Sequence, residues 1–165
     1  MATHLSATHL RQILTYDVDT GLFRWNVSRG KVRAGQLAGK TGCNTSGYKE
    51  IMIDYRMYRS HRLAWLYVTG EWPALQIDHI NGDRTDNRFC NLRLATHSEN
   101  QANMKRKRTN GSGFKGVCRD KGQWRAKITV DRKIFDLGRF GTPEEAHQAY
   151  VAAAAAHRGI FARAG

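Results

Sequence analysis

Leu75-Gln76-Ile77-Asp78-His79-Ile80 reads as a short strand, Asn81-Gly82-Asp83 as a polar loop, and Leu92-Arg93-Leu94-Ala95 as a second, alternating strand. Thr96-His97-Ser98-Glu99 has the spacing of a capping box, with Thr96 as N-cap and Glu99 at the third helical position. The helix it opens is expected to run through Asn100 and Asn103 into Lys105-Arg106-Lys107-Arg108. This succession predicts a ββα unit. So small a unit buries little on its own. Its apolar support must come from Ile77, Leu92 and Leu94, together with the preceding segment around Leu63, Trp65 and Leu66.

The flanking segments supply further elements. Upstream, Ser6 can cap a short helix with Leu10, Ile13 and Leu14 on one face, and Asp19-Thr20-Gly21 turns into a strand at Leu22–Trp25. Residues 28–47, rich in Gly, Ser, Lys and Arg, read as an exposed loop. Tyr48–Ile53 and Met57–Arg59 suit a hairpin around Asp54-Tyr55-Arg56, and the helical spacing over His61–Tyr67 ends at Thr69-Gly70. Downstream, the polar linker Thr109–Gly113 leads into strands near Phe114–Arg119, Gln123–Val130 and Lys133–Leu137. Thr142 and Pro143 then open a helix whose buried stripe is Ala146, Ala149, Tyr150, Ala153 and Ala154. The expected fold is α+β in three parts: a β-rich N-terminal segment over 1–59, the ββα unit over 60–108, and over 109–165 a linker with a three-stranded antiparallel sheet and a helix.

Charge divides along the same lines. The 165 residues carry 27 Lys plus Arg against 14 Asp plus Glu, a formal charge of +13. Residues 1–62 hold ten basic and four acidic residues, residues 63–100 three and five, and residues 101–140 twelve and three. Two basic flanks thus enclose an acidic island. A polyanionic partner explains the flanks, but phosphate repels carboxylates. A metal ion between carboxylate and phosphate gives the island a purpose. Other classes are excluded: 16 aromatic residues argue against a disordered chain, and no apolar run nears the ~18 residues of a membrane span. With no evident signal peptide and three cysteines (Cys43, Cys90, Cys118) that form no CxxC, free thiols in a reducing cytoplasm are expected. Cys90 reads as a small buried apolar residue.

Asp78-His79-Ile80-Asn81-Gly82-Asp83, Asp86-Asn87-Arg88, Asn91-Leu92 and Ser98-Glu99-Asn100 together resemble the HNH endonuclease family, in its phage and homing-endonuclease branch. The resemblance covers residues 60–104 and takes in His61-Arg62-Leu63-Ala64-Trp65 and Glu71-Trp72-Pro73. It implies that Asp78 and Asn100 bind one divalent metal, Mg²⁺ or Mn²⁺, that His79 is the general base, and that Asn91 ties the loop so that His79 points at the scissile phosphate. Many members carry a CxxC zinc staple; this chain has none, so no structural zinc is expected. The chemistry is consistent: a neutral His near its ordinary pKa of ~6.5 can take a proton from water. Adjacent strand residues point to opposite faces, so Asp78 and His79 share a cleft only if the first strand bends. Asn81, Asp83, Asp86 and Asn87 read as turn residues, His61 as a packing residue, and His97 as exposed in the first helical turn.

Ser112-Gly113-Phe114-Lys115-Gly116-Val117, Trp124-Arg125-Ala126-Lys127-Ile128, Leu137-Gly138-Arg139-Phe140 and Glu144–Tyr150 resemble the plant APETALA/ethylene-response-factor DNA-binding domain, over residues 112–158. That resemblance implies a sheet lying in the DNA major groove with a helix behind it. By alternation Arg125, Lys127 and Thr129 share one face of the strand, and Trp124, Ala126 and Ile128 the other. Candidate DNA contacts are Lys115, Arg119, Arg125, Lys127 and Lys133, with Lys105 and Arg106 from the preceding helix, and the β-rich segment over 1–59 is expected to contact DNA as well. Cys118 and Asp136 stand where plant members carry DNA-touching Arg and Trp, so the plant target does not carry over. The expected protein is a metal-dependent DNA endonuclease of phage or homing type that acts on double-stranded DNA, with no membrane partner and no small-molecule cofactor. The alternative is a DNA-binding regulator with an inactive HNH scaffold.

Overall fold

The structure, a computed structural model, describes residues 5–41, 47–104, 110–159 and 162. The chain divides into two compact units, the first ending at Leu94 and the second starting at Ala95.

In the first unit, Ser6 caps α1 (Ala7–Ile13) by accepting the His9 N–H at 3.1 Å. Leu14 then leaves the helix for β1 (Leu14–Asp17), a strand that the helical spacing had hidden. β1 pairs antiparallel with β2 (Leu22–Trp25), which pairs with β3 (Leu37–Ala38). β4 (Lys40–Thr41), β5 (Lys49–Ile53) and β6 (Arg56–Arg59) form a second antiparallel sheet, so residues 28–47 are not loop throughout. The β5–β6 turn puts Asp54 and Tyr55 at φ 47° and 62°, the backbone of a tight two-residue hairpin. Asp54 is pinned there by His9 Nε2 at 3.0 Å and by Arg29 Nη1 and Nη2, each at 3.1 Å.

Helix α2 (Ser60–Thr69) stops at Gly70, whose φ of 84° suits a residue without Cβ. Its Leu63 and Leu66 pack in one core with Leu10, Leu14, Phe23, Ile51 and Ile53. Ile77 of β7 (Gln76–His79) and Leu92 of β8 (Leu92–Ala95), which form a two-stranded sheet, bury in that same core. This burial anchors both strands to the core of the first unit. Cys90 is exposed, not buried as expected, because it sits in a 3-10 turn (Phe89–Asn91) whose inward residue is Asn91.

In the second unit, Thr96 and Glu99 make the expected capping box on α3 (His97–Asn103). The helix ends earlier than expected, at Asn103, where Lys115 Nζ donates to the carbonyls of Ala102 at 2.6 Å and Met104 at 2.7 Å. Lys105 and Arg106 lie outside the described residues. Strands β9 (Val117–Asp120), β10 (Gln123–Val130) and β11 (Lys133–Phe140) form an antiparallel sheet with β10 in the centre. β9 starts later than expected because Asn110 and Ser112 side chains bond the carbonyls of Phe114 and Val117, holding that stretch as a turn. Thr142 and Glu145 box the start of α4 (Pro143–Arg158). Its Ala146, Tyr150 and Ala154 bury against Ala126 and Ile128, the face expected to meet the helix. Gly116, at φ 74°, lets the backbone pass the Tyr150 ring; a Cβ there would lie 2.1 Å from Tyr150 Cδ2. Among the described residues no helix is long and apolar enough to cross a membrane.

Candidate active site

Strand β7 ends on two polar residues that are both enclosed: Asp78 and His79 are each 4% exposed. They turn to different partners, as strand alternation requires. His79 meets Asn87, with Nε2 3.1 Å from Asn87 Oδ1. The Asn87 amide donates through Nδ2 to the Thr85 carbonyl at 3.4 Å, so Oδ1 is the atom facing the imidazole. A carbonyl oxygen only accepts, so Nε2 carries the proton of the neutral ring and Nδ1 the lone pair. Asn87 is therefore not an ordinary turn residue. It is 1% exposed, and its backbone carbonyl accepts the Tyr16 hydroxyl at 2.6 Å. Loop chemistry in the sequence masked this role, since only burial separates a buried Asn from a turn Asn.

Asn91 is bonded into the loop that follows His79. Its backbone carbonyl accepts the Ile80 N–H at 2.9 Å, and its Oδ1 accepts the Asn81 N–H at 3.0 Å. Its Nδ2 donates to Asn81 Oδ1 at 3.0 Å and to the Asp86 carbonyl at 2.8 Å. One buried amide thus fastens both ends of the loop that follows His79.

Asp78 Oδ2 accepts from Arg93 Nε at 2.9 Å and lies 2.8 Å from Arg93 Nη2, with little of either side chain exposed. Arg93 was missed in the sequence, where it reads as one polar position of an alternating strand. Asn100, the other expected ligand, stands half-buried on α3, in the second unit. The donor chemistry fits a hard cation: a carboxylate and a carboxamide offer oxygen, and no thiolate takes part. Among the described residues no group of three or more His, Cys, Asp or Glu could hold a metal.

Burial pushes the His79 pKa below its ordinary value, against the opposing pull of Asn87 and of the Asp78, Asp83 and Asp86 carboxylates. The ring is thus neutral at pH 7. His61, 4% exposed, packs its ring edge-on to His79 with centroids 5.1 Å apart, and lies 4.9 Å from the Tyr48 ring. Burial, then the neighbouring His79, Arg59 and Arg62, depress its pKa to about 3. It packs, as expected, and its Nδ1 has no hydrogen-bond partner. His97 is exposed, also as expected.

In the second unit the residues expected to contact DNA are arranged unevenly. Lys127 and Lys133 are exposed. Arg125 donates through Nε and Nη2 to Asp136 Oδ2 at 3.1 and 2.7 Å, and Arg139 Nε donates to Asp120 Oδ2 at 3.0 Å. Arg119 lies 5.4 Å over the Trp124 ring. Lys115 is turned onto the α3 carbonyls described above, which the sequence gave no sign of.

Two family models match the chain in order: HNH endonuclease over residues 58–102 and AP2 domain over residues 112–160. The first match contains Asp78, His79, Asn91 and Asn100, and the second contains the sheet and all of α4. Protein 3.8 of Escherichia phage T7 is 37% identical over 82 residues, spanning 48% of this chain and 68% of that protein. Both domains are ones that act on or bind DNA. The chain belongs to the HNH endonuclease family, with an AP2 domain following its HNH region.

Proposed function

We propose that the protein is a metal-dependent DNA endonuclease of phage or homing type, in which the HNH region hydrolyses a phosphodiester and the C-terminal sheet chooses the site. The observation that carries this reading is His79: buried, neutral at pH 7, and oriented by Asn87 in a loop fastened by Asn91. In this reading the neutral imidazole takes a proton from an attacking water. Asp78 and Asn100 are the residues that would hold Mg²⁺ or Mn²⁺. The bound ion would supply charge neutralisation at the phosphoryl oxygens. Arg93 holds Asp78 in place through its two nitrogens on Oδ2.

The same Arg93–Asp78 pair favours a second reading, a DNA-binding regulator whose HNH region is inactive, because it engages the one carboxylate expected to ligate metal. A supercoiled plasmid incubated with the protein, with and without Mg²⁺, separates the two. Nicked or linear product only with metal supports the nuclease. Unbroken plasmid that is nonetheless retarded on a gel, with Mg²⁺ and with Mn²⁺, supports the regulator.

A further inference from the structure

Apolar residues exposed singly are ordinary on a protein surface, but the β5–β6 hairpin gathers three. Met52 is 60% exposed, Met57 58% and Tyr55 97%. Met52 and Met57 are directly paired across the two strands, so they share a face. Ile51 and Ile53, which alternate with Met52, bury in the core of the first unit, so the two methionines stand on the outer face. Tyr55 sits at the hairpin tip, which the bonds of His9 and Arg29 to Asp54 fix in place. Met52 and Tyr55 also line an open hollow of about 480 Å³ together with Trp25 and Val32. The same outer face leads to the candidate active site. Tyr48 and Glu50 precede Met52 at the alternating positions, and the Tyr48 ring lies 6.0 Å from the His79 ring.

We propose that the outer face of the β5–β6 hairpin, through Met52 and Met57, rests against the bases of a DNA duplex engaged at His79. The choice of DNA rests on the endonuclease reading; the contact itself needs no metal and no cleavage. Charge decides between the occupants that an apolar face could take. Residues 28–59 carry seven Lys plus Arg against two carboxylates, Glu50 and Asp54, and Asp54 is already matched by Arg29. A second copy docking face to face would set these cations against their equals, whereas a polyanion is drawn to them. The bases are the apolar part of that polyanion. Methionine is unbranched and polarisable, so it adapts to an irregular surface and packs well on aromatic rings. Position agrees as well. Tyr48 and Met52 are four residues apart, ~13 Å at the usual strand rise, which a duplex covers in ~4 base pairs. A duplex running along the hairpin with a phosphate at His79 therefore passes the methionines within half a turn.

The test compares binding of the full chain, in EDTA, to a mixed-sequence DNA duplex and to heparin, a polyanion without bases. The double variant Met52→Ser, Met57→Ser should bind the duplex ~10-fold more weakly at every salt concentration. The slope of log affinity against log salt should stay as in wild type, because an apolar contact releases no counterions. Heparin affinity should not change. Val18→Ser, at an exposed apolar residue between Asp17 and Asp19, should bind the duplex as wild type. Wild-type duplex affinity in the double variant overturns the proposal, and so does an equal loss for heparin or in Val18→Ser. A wild-type chain that sediments as a dimer, with a monomeric double variant of full duplex affinity, would assign the face to a second copy instead. Should the double variant fail to fold, the single variants decide, at ~3-fold each. A wild-type protein that never cuts but shows the methionine effect removes the nuclease reading and leaves the contact standing. One that cuts with metal but shows no methionine effect does the reverse.

Discussion

In the first unit Asp78, His79, Asn87 and Asn91 are all less than a tenth exposed, and each is tied to a named partner. In the second, Arg125, Arg139, Asp120 and Asp136 pair with one another on an open sheet face. The contrast is physical. A buried polar group is costly unless its partners are in place, so a satisfied buried network has one arrangement and keeps it. Exposed ion pairs are worth ~0–1 kcal/mol and exchange partners readily. In the endonuclease reading, the first unit holds groups where chemistry needs fixed positions before substrate arrives. The second holds cations in loose custody, from which a phosphate can take them.

The comparison breaks most visibly at His79. His79→Ala should lower single-turnover cleavage by ~10²–10⁴-fold, the usual cost of losing a general base, with duplex affinity unchanged because a neutral ring adds little to phosphate binding. Asn87→Ala should lose less, roughly 10- to 100-fold as for other orienting partners. The pH profile carries a further sign. The depressed His79 pKa places the acid limb of the wild-type rate below pH ~6.5. Cleavage that survives in purified His79→Ala at equal metal and DNA removes this assignment.

The next largest effect should fall on the second unit alone. Gly116→Ala would place a Cβ against Tyr150 and force a side chain onto a backbone at φ 74°. Overpacking and left-handed strain together should cost about 3 kcal/mol. A melting experiment should show the sheet unit destabilised and the first unit unmoved. A common shift of both transitions would mean that the units do not fold separately.

These cases also mark what the residues disclosed in advance. The capping boxes at Thr96 and Thr142, the hairpin about Asp54-Tyr55 and the Ala146–Tyr150–Ala154 stripe follow from local rules, because a cap or a period is written in adjacent residues. The motif singled out Asn91, which the structure shows bonded to Asn81 and to the Asp86 carbonyl. Asn87, Arg93 and Lys115 were not. Each owes its part to a contact set by tertiary packing: Tyr16 reaching Asn87 across the unit, Arg93 facing Asp78 over a strand pair, Lys115 closing a helix end. A residue's type gives its capacity to bond; only the fold says which partner it meets.

A smaller effect should distinguish the units by acid. His61 has a folded pKa near 3 against ~6.5 in the unfolded chain. Between those values the unfolded state binds the extra proton, so stability falls as pH drops from 6.5 toward 3, by up to about 1.4 kcal/mol per pH unit. His61→Gln, which does not titrate, should flatten that slope in the transition of the first unit. A slope equal to wild type would mean that acid acts on other groups.

The smallest effect belongs to the exposed face. Asp136 Oδ2 accepts two bonds from Arg125, while its Oδ1 accepts the Gly138 N–H at 3.1 Å and shapes β11. Asp136→Asn keeps an oxygen for Gly138 but removes the charge that holds Arg125 and repels phosphate. Arg125 then has only Asp120 nearby, at 3.8 Å, a carboxylate already engaged by Arg139 at 2.8 Å. If the face exchanges carboxylate for phosphate as exposed pairs allow, this variant should bind duplex a few-fold more tightly, with a salt slope steeper by up to ~0.9. The same change at Asp78, buried with Arg93, should not behave this way, because loss of one partner there leaves a buried guanidinium unmatched and costs stability. Unchanged affinity and slope in Asp136→Asn would show that Arg125 stays in its ion pair when DNA is bound, leaving Lys127 as an exposed cation of that face.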